Sequence, residues 1–339
     1  MDDIIRDTTG KIIYFSPAKF REQIIEKKNC FICGTNRNEA KFNDEHIFPK
    51  WMLDNFGMHQ ARIDLPNKEK HRYGTYKIPC CAMCNGRMGN EIEKPISNIL
   101  KNGYKSVYKF MIDGNPLLLY SWLARIFLKT HLKDSMLKKH LDSRQGSGNI
   151  GDDYRWEGLY LPFVFSRAFY ADTTSLENIM GSLIVVPIAD NKNNLTNRWH
   201  YTDDTNELTL MLQVRDIGFI ASFGDFGIAL NNMKKMFKKI NNHPVNPSQL
   251  GQLSAYVSAT NMMYKNRPAV FYDTKMNGFV SVPPENTVVN KLSDEEWGNL
   301  LHHFTQKLIA ENDVAEEVRV GRRQFLWDHN NEFVVTHLQ

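Results

Sequence analysis

Cysteine is confined to a short part of this 339-residue sequence. All five cysteines lie between Cys30 and Cys84, and the 255 residues after Cys84 contain none. Cys30 and Cys33 form one CxxC pair, and Cys81 and Cys84 form a second. Two such pairs can offer four thiolates to one tetrahedral zinc ion. The spacing therefore predicts a structural Zn²⁺ site, and Gly34 permits a tight turn after the first pair.

Other uses of cysteine agree less well with the sequence. A disulfide framework is typical of secreted chains with an even cysteine count. This chain has five cysteines, and its acidic start, Met-Asp-Asp-Ile-Ile-Arg-Asp, is unlike a signal peptide. A redox-active CxxC pair would leave the other pair unexplained. Cys80 is an alternative to Cys81 as a zinc ligand, and otherwise we expect it to be a free thiol.

A histidine with oxygen donors nearby lies between the two CxxC pairs. Glu45 and His46 are followed by Ile-Phe-Pro, and Asn85 directly follows the last cysteine. Zinc would hold the segment containing Glu45 and His46 beside the helix that Asn85 begins. A carboxylate and an amide oxygen suit Mg²⁺ or Mn²⁺, and an adjacent imidazole can take a proton from water. This set of groups predicts metal-assisted hydrolysis of phosphodiesters.

The combined pattern CxxC, EHIxP and CxxCN resembles the HNH (ββα-metal) endonucleases. The resemblance is to their zinc-stapled members, which include the phage Holliday-junction-resolving endonucleases, and it covers roughly residues 28–95. It implies that His46 is the general base and that Glu45 and Asn85 bind a catalytic Mg²⁺ or Mn²⁺ ion. It also implies that the structural Zn²⁺ is bound by the four cysteines, Cys30, Cys33, Cys81 and Cys84. The implied function is divalent-metal-dependent cleavage of DNA.

Some positions of the family pattern have more than one candidate here. The acid before the histidine is commonly Asp in the family, so Asp44 can share the role of Glu45. The remaining candidates lie near the motif: Asn55 and Asn67 for the middle Asn, His59 and His71 as alternative ligands, and Asn90 and Glu93 as further donors on the metal helix.

Basic residues are concentrated in the same part of the chain. Through Phe110 there are 19 Lys and Arg against 13 Asp and Glu, whereas the remainder has 23 against 25. Such residues supply sequence-independent phosphate contacts. Those nearest the motif are Lys41, Lys50, Arg62, Lys68, Lys70, Arg72, Lys77 and Arg87. A second basic stretch, KKMFKK at 234–239, predicts a helix whose basic face either contacts nucleic acid or is simply solvated.

The whole chain predicts an α+β protein with two domains. The turn Asp-Gly-Asn-Pro at 113–116 is expected to separate a small zinc-stapled ββα-metal (HNH) domain, 1–112, from a larger α+β companion domain, 113–339. The companion domain would serve substrate binding, sensing or oligomerisation, and it has no catalytic signature. Strands and helices fall in separate runs, which favours α+β over a doubly wound sheet.

Local patterns predict the individual elements. The predicted helices span 18–28, 50–56, 84–93 with an end or kink at Pro95, 117–141, 247–264 and 297–310. The predicted strands span 42–51, 159–170, 182–188, 208–214, 218–223, 227–230 and 268–272. Ser293 and Glu296 form a predicted capping box, and Ser16 with Pro17 predicts a capped helix start.

Location and partners follow from the same features. No apolar run reaches the roughly 18–20 residues of a membrane span, because Arg125 interrupts the longest one. We expect a cytoplasmic protein whose partner is DNA, with a homodimer or protein contact through the C-terminal domain, in a setting such as restriction or anti-phage defence. The alternatives are a non-catalytic zinc-stapled module that binds nucleic acid or protein, and an RNA-directed nuclease.

Overall fold

The computed structural model describes residues 3–171, 174–189, 199–309 and 312–336. It mixes helices with strands, which confirms the predicted α+β class. The strands are β1 (Ile4–Arg6), β2 (Ile12–Phe15), β3 (Glu45–His46), β4 (Arg62–Asp64), β5 (Lys70–Arg72), β6 (Lys77–Ile78), β7 (Leu183–Pro187), β8 (Trp199–Asp204), β9 (Thr209–Val214), β10 (Ile217–Ser222), β11 (Ala269–Asp273) and β12 (Gly278–Val282). The helices are α1 (Pro17–Phe20), α2 (Lys50–Asn55), α3 (Ala82–Met88), α4 (Lys94–Leu100), α5 (Tyr104–Ile112), α6 (Pro116–Asp134), α7 (Tyr160–Ser166), α8 (Ile228–Asn232), α9 (Lys234–Ile240), α10 (Pro247–Met263), α11 (Asp294–Thr305) and α12 (Asn312–Arg319). No helix among these described residues has the length and apolar character needed to span a bilayer.

The chain forms two compact units. Unit 1 contains Met1–Lys101, Leu117–Leu176 and Tyr272–Phe279, and unit 2 contains Asn102–Pro116, Glu177–Phe271 and Val280–Gln339. The predicted ranges 1–112 and 113–339 do not follow this division. Helix α5, which the sequence places in the first domain, belongs to unit 2, and α6, which the sequence places in the companion domain, belongs to unit 1.

A short hairpin-like pair of strands and a helix surround the cysteines in unit 1. Strands β3 and β6 pair antiparallel, with Glu45 opposite Ile78 and His46 opposite Lys77. Helix α3 follows β6 directly and has Cys81 as its N-cap residue. Helix α6 is buried along almost its whole length, so it provides the interior against which this small substructure is built.

Helix α3 does not end where the sequence predicts. A π-helical turn, Gly89–Glu93, joins it to α4, which contains Pro95 in its first turn. Proline is tolerated there because its missing N–H lies at a position where a helix restarts. The wider π turn absorbs the irregularity, and the chain continues as a helix to Leu100.

An antiparallel sheet forms the centre of unit 2. Its strand order is β7-β10-β9-β8, and β9 and β10 are buried along their whole length. Helices α10 and α11 pack with the sheet in one apolar cluster that includes Met211, Ile220, Leu253 and Phe304. The predicted capping box formed by Ser293 and Glu296 is present at the start of α11.

Several predicted elements differ from the structure. The predicted strand at 159–170 contains helix α7, and the predicted strand at 227–230 overlaps the start of helix α8. The predicted strand at 42–51 is reduced to β3, because α2 begins directly after Pro49. Helix α6 ends at Asp134 rather than at residue 141, and Ala310, the predicted last residue of the helix at 297–310, lies outside the described residues.

Candidate functional site

Four of the five cysteines come together in unit 1. The sulfur atoms of Cys30, Cys33, Cys81 and Cys84 all lie within 4.8 Å of one another and could hold a metal ion. An antiparallel bridge between Phe42 and Cys81 helps bring the second pair to the first. The predicted grouping of two CxxC pairs is therefore confirmed.

Local backbone geometry positions each cysteine pair. The Gly34 N–H donates to the Cys30 carbonyl oxygen at 2.8 Å, and Gly34 has a φ of 75°, which glycine adopts without steric cost. The Cys81 sulfur accepts a hydrogen bond from the Cys84 N–H at 3.4 Å at the start of α3. One pair is thus fixed by a turn and the other by a helix start.

Cys80 lies beside the four-cysteine group without belonging to it. Its sulfur is 4.0 Å from the Cys30 sulfur and 3.6 Å from the carbonyl oxygen of Cys81. The hydrogen bond with Cys30, together with burial, raises the pKa of Cys80. A thiol in these surroundings stays protonated, in agreement with the predicted free thiol.

The four grouped cysteines differ in how readily their thiols lose a proton. Hydrogen bonds from Cys33, Cys80 and Cys84 lower the pKa of Cys30. Hydrogen bonds to Cys30 and Cys33 raise the pKa of Cys84, and burial raises the pKa of Cys81 to about 11. The neighbouring sulfurs therefore stabilise the thiolate form of Cys30. A bound metal ion would displace the remaining protons.

Arg167 places a buried positive charge near these sulfurs. Its side chain is 1% exposed, and its guanidinium lies 5.4 Å from the ring centre of Phe15 and 4.9 Å from that of Phe163. Within the described part of the chain, none of its three side-chain nitrogens has a hydrogen-bond partner. Burial lowers the Arg167 pKa to about 10, while the charges of Cys30 and Cys33 act in the opposite direction. A buried cation is costly unless an anion lies nearby, so this position fits a negatively charged metal–thiolate group.

The Glu45 carboxylate is held inside unit 1 by a lysine. The Lys129 ammonium lies 2.7 Å from Glu45 Oε1 and 2.7 Å from the carbonyl oxygen of His46. The two charged side chains are 1% and 7% exposed. Lys129 therefore neutralises Glu45 and fixes the backbone at His46. It also occupies one oxygen of the carboxylate that the sequence predicts as a metal ligand.

Glu93 is the further oxygen donor that the structure brings to Glu45. Burial, followed by the charge of Glu45, raises the pKa of Glu93 to about 7. The positive charges of Lys129 and Arg125 oppose this rise, and a hydrogen bond with Glu45 adds to it. Glu93 therefore holds its proton more readily than an exposed carboxyl group does, and it lies near Glu45 and two buried cations.

The imidazole of His46 is half-buried, and its ring nitrogens are not engaged by other described residues. Burial, and next the charge of Lys77, lower the pKa of His46. No hydrogen bond to either ring nitrogen occurs among the described residues. The nearest aromatic neighbour is His59, whose ring centre is 6.3 Å away. His46 is therefore neutral at pH 7 and able to accept a proton.

Asn85 links helix α3 to the strand that carries His46. Its amide donates to the carbonyl oxygen of Asp44 at 3.5 Å. The Asp44 carboxylate pairs instead with Arg37, at 2.6 Å. The contact brings Asn85 to the residue before Glu45, while the side chain of Asp44 is engaged elsewhere.

The other predicted donors have different partners or are exposed. They are His59, which pairs with Asp54 at 2.7 Å; His71, which lies 3.2 Å from Glu69; Asn67, which donates to the Lys138 carbonyl; and the exposed Asn55 and Asn90. Apart from the four cysteines, the described ranges contain no group of three or more His, Cys, Asp or Glu side chains that converge. None of these other donors joins Glu45 and Asn85, which contact Lys129 and the Asp44 backbone.

The basic residues near the motif divide into two sets. Ion pairs with acidic side chains are formed by Lys50, Lys70 and Arg87. Over the described ranges, the set without an acidic partner consists of Lys41, Arg62, Lys68, Arg72 and Lys77. The second set is available for contacts with phosphate groups.

The sequence did not predict that three buried cations would lie near the motif. Arg125 and Lys129 lie one turn apart on α6, and Arg167 follows α7. Arg125 is 1% exposed, and its Nε donates to the Ser166 carbonyl at 3.2 Å. The available signal was two charges at i and i+4 within an apolar helix, since such charges are buried only when they are paired.

Comparison with family models, with curated proteins and with solved structures finds no significant match to this chain.

Proposed function

We propose that unit 1 carries a zinc-stapled HNH-type nuclease site that hydrolyses DNA, with His46 as the general base. The observation that carries this proposal is the arrangement around His46. Strands β3 and β6 pair antiparallel, α3 follows them, and Asn85 on α3 contacts the backbone of Asp44. This order of two strands and a helix, beside two CxxC pairs, is the order expected of a ββα-metal motif.

Zinc is the metal that best suits the four cysteines. Thiolate–zinc distances of about 2.3 Å give sulfur–sulfur edges of about 3.8 Å in a tetrahedron. The sulfurs of Cys33 and Cys81 are 3.8 Å apart. Four thiolates leave no open coordination position, so this ion has a structural role. Arg167 offsets the net negative charge of the loaded centre.

In this proposal His46 removes a proton from the attacking water. Its neutral imidazole is available, and Lys129 holds the carbonyl oxygen of the same residue, which limits movement of the base. Glu45 and Asn85 would hold Mg²⁺ or Mn²⁺ after releasing their contacts with Lys129 and with the Asp44 backbone, and the ion would supply positive charge to the phosphate and the leaving oxygen. Glu93 supplies a further carboxyl group beside Glu45. The unpaired lysines and arginines of unit 1 would contact the DNA backbone.

Replacement of His46 by Ala is the direct test. We expect the wild-type chain to nick supercoiled plasmid in Mg²⁺ or Mn²⁺ and His46→Ala to be slower by about 10²–10⁴-fold, the typical contribution of a general base. Linear, branched and single-stranded DNA are assayed in parallel, with RNA alongside. His329→Ala, which changes an exposed histidine of unit 2, is the matched control and should cleave normally.

The zinc content of each variant separates chemistry from folding. His46→Ala should retain the same zinc-to-protein ratio as the wild-type chain. If the variant retains zinc and cleaves as fast as the wild-type chain, His46 is not the base.

A non-catalytic zinc module that binds nucleic acid or protein is the second candidate. The ion pair between Glu45 and Lys129 favours it, because this contact neutralises a carboxylate assigned to the catalytic ion. Such a module would bind DNA or protein and would cleave nothing in either divalent ion. Preferential cleavage of RNA in the same panel would instead identify an RNA-directed nuclease.

A further inference from the structure

Unit 2 contains an open cavity of about 580 Å³. This size lies in the range of small-molecule sites. Its walls are helix α5, strand β7, helix α9 and the turn after α9. The lining residues used below are Tyr104, Tyr108, Lys234, Lys238, Asn241 and His243. The cavity belongs entirely to unit 2 and shares no residue with the cysteine group.

Two tyrosines form an aromatic wall of this cavity. The rings of Tyr104 and Tyr108 lie one turn apart on α5, with centres 5.7 Å apart and planes inclined by 33°. The start of α5 is anchored, because the Tyr104 N–H donates to the Asp216 carboxylate at 3.1 Å. The floor is apolar and comes mainly from β7. A flat aromatic group can therefore pack against an ordered surface.

Positive charge lines another part of the cavity wall. Lys234 and Lys238 are exposed side chains one turn apart on α9. Neither pairs with an acidic side chain among the described residues, and no Asp or Glu lines the cavity. Lys239, from the same basic stretch, is used differently: it lies 5.5 Å from the Trp327 ring and donates to the Asn331 carbonyl. Two lysines of the basic stretch, Lys234 and Lys238, thus line the cavity.

Polar groups complete the rim beside the lysines. Asn241 ends α9 in the left-handed region, with a φ of 48°, and it lines the cavity together with His243. Amide groups can donate and accept hydrogen bonds at the edge of a base. A fatty acid would contact the apolar floor and the lysines, but it would leave the polar rim and the tyrosine rings without a matching group.

We propose that this cavity binds a nucleotide. The base packs against Tyr104 and Tyr108, and the phosphate lies between Lys234 and Lys238. Stacking on aromatic side chains and charge-assisted contacts to phosphate are the two interactions that proteins combine for such ligands. The ligand is either a free nucleotide or the end of a nucleic-acid strand, which present the same chemistry.

Calorimetric titration of the full chain tests the proposal with defined probes. AMP should bind, whereas adenosine and inorganic phosphate should bind at least about ten-fold more weakly, because each lacks either the charge-assisted phosphate contact or the stacked base. A phosphorothioate tetranucleotide, which resists hydrolysis, is the strand probe. Tighter binding of the tetranucleotide than of AMP assigns the site to a strand end, and the reverse assigns it to free nucleotide.

Matched variants locate the binding. Lys234→Ala combined with Lys238→Ala should weaken AMP binding by at least about ten-fold, while Lys235→Ala, which removes an equal charge from the same helix outside the cavity lining, should not. Tyr108→Leu should also weaken binding, because it removes the aromatic ring and keeps an apolar side chain. The absence of AMP and tetranucleotide binding overturns the proposal. So does binding of oleate that neither nucleotide probe displaces. None of these readouts depends on cleavage by unit 1.

Discussion

Lys129 links the predicted motif to a distant part of the sequence. It is 84 residues from Glu45, and it contacts both the Glu45 carboxylate and the His46 carbonyl. The cysteines and His46 could be predicted because their spacing is local. Lys129 and Arg167 could not, because their partners are set by tertiary packing. At the scale of single residues, sequence thus revealed the groups of the motif but not the charges that stabilise them.

Removal of the Lys129 ammonium should therefore destabilise unit 1. We expect Lys129→Met to lower the free energy of unfolding of unit 1 by about 3–5 kcal/mol, because it leaves the Glu45 carboxylate buried without its partner. Urea unfolding followed by circular dichroism measures the change. Lys129→Met combined with Glu45→Gln should recover much of the loss, and Lys138→Met, at an exposed position, should have little effect. A single variant as stable as the wild-type chain would contradict the importance of the pair.

His200 should make unit 2 sensitive to acid. Burial, and next the charge of Lys307, lower the pKa of His200 to about 4. The pKa of histidine in an unfolded chain is about 6.5. As the pH falls from 6.5 to 4, only the unfolded state takes up the proton, so stability falls by on the order of 3 kcal/mol. His200→Gln should flatten this part of the stability profile, measured by urea unfolding at each pH. His329→Gln serves as the control. An unchanged profile for His200→Gln would assign the acid sensitivity to other groups.

At the scale of elements, the metal should hold the two strands and α3 together. We expect the wild-type chain to contain one zinc ion per chain and Cys84→Ser to lose it, with increased proteolysis of the segment 28–95. Cys80→Ser is the matched control, because Cys80 lies next to the group without belonging to it. Metal analysis and limited proteolysis provide the measurements. A zinc-free Cys84→Ser chain that resists protease equally well would show that the metal does not stabilise this region.

The elements that were predicted correctly carry strong local signals. Helix α10 has Asn246 as its cap and Pro247 in its first turn, and α11 has the Ser293 capping box. The run containing α7 was predicted as a strand because a short, mostly apolar run has no usable periodicity. Helix α8 follows Gly227, whose φ of 78° starts the helix from a left-handed residue, and this conformation is not visible in sequence.

At the scale of the whole molecule, the predicted domain 1–112 lacks part of its own interior. Helix α6 belongs to unit 1 and carries Lys129. We expect a fragment of residues 1–112 to be protease-sensitive and to unfold without a cooperative transition, because Glu45 would have no cation beside it. The fragment 1–176, which includes α6, should be more resistant. Calorimetry and trypsin digestion compare them, and a cooperative, zinc-containing 1–112 fragment would show that α6 is dispensable.

The distance in sequence between Glu45 and Lys129 also sets an order of events during synthesis. Translation at roughly 5–20 residues per second brings Lys129 out of the ribosome about 4–17 s after Glu45. The last cysteine of the group, Cys84, emerges before Lys129. A chain that binds zinc as proposed can therefore do so before Lys129 emerges, and zinc supply would then act at an earlier step of biogenesis than formation of the buried ion pair.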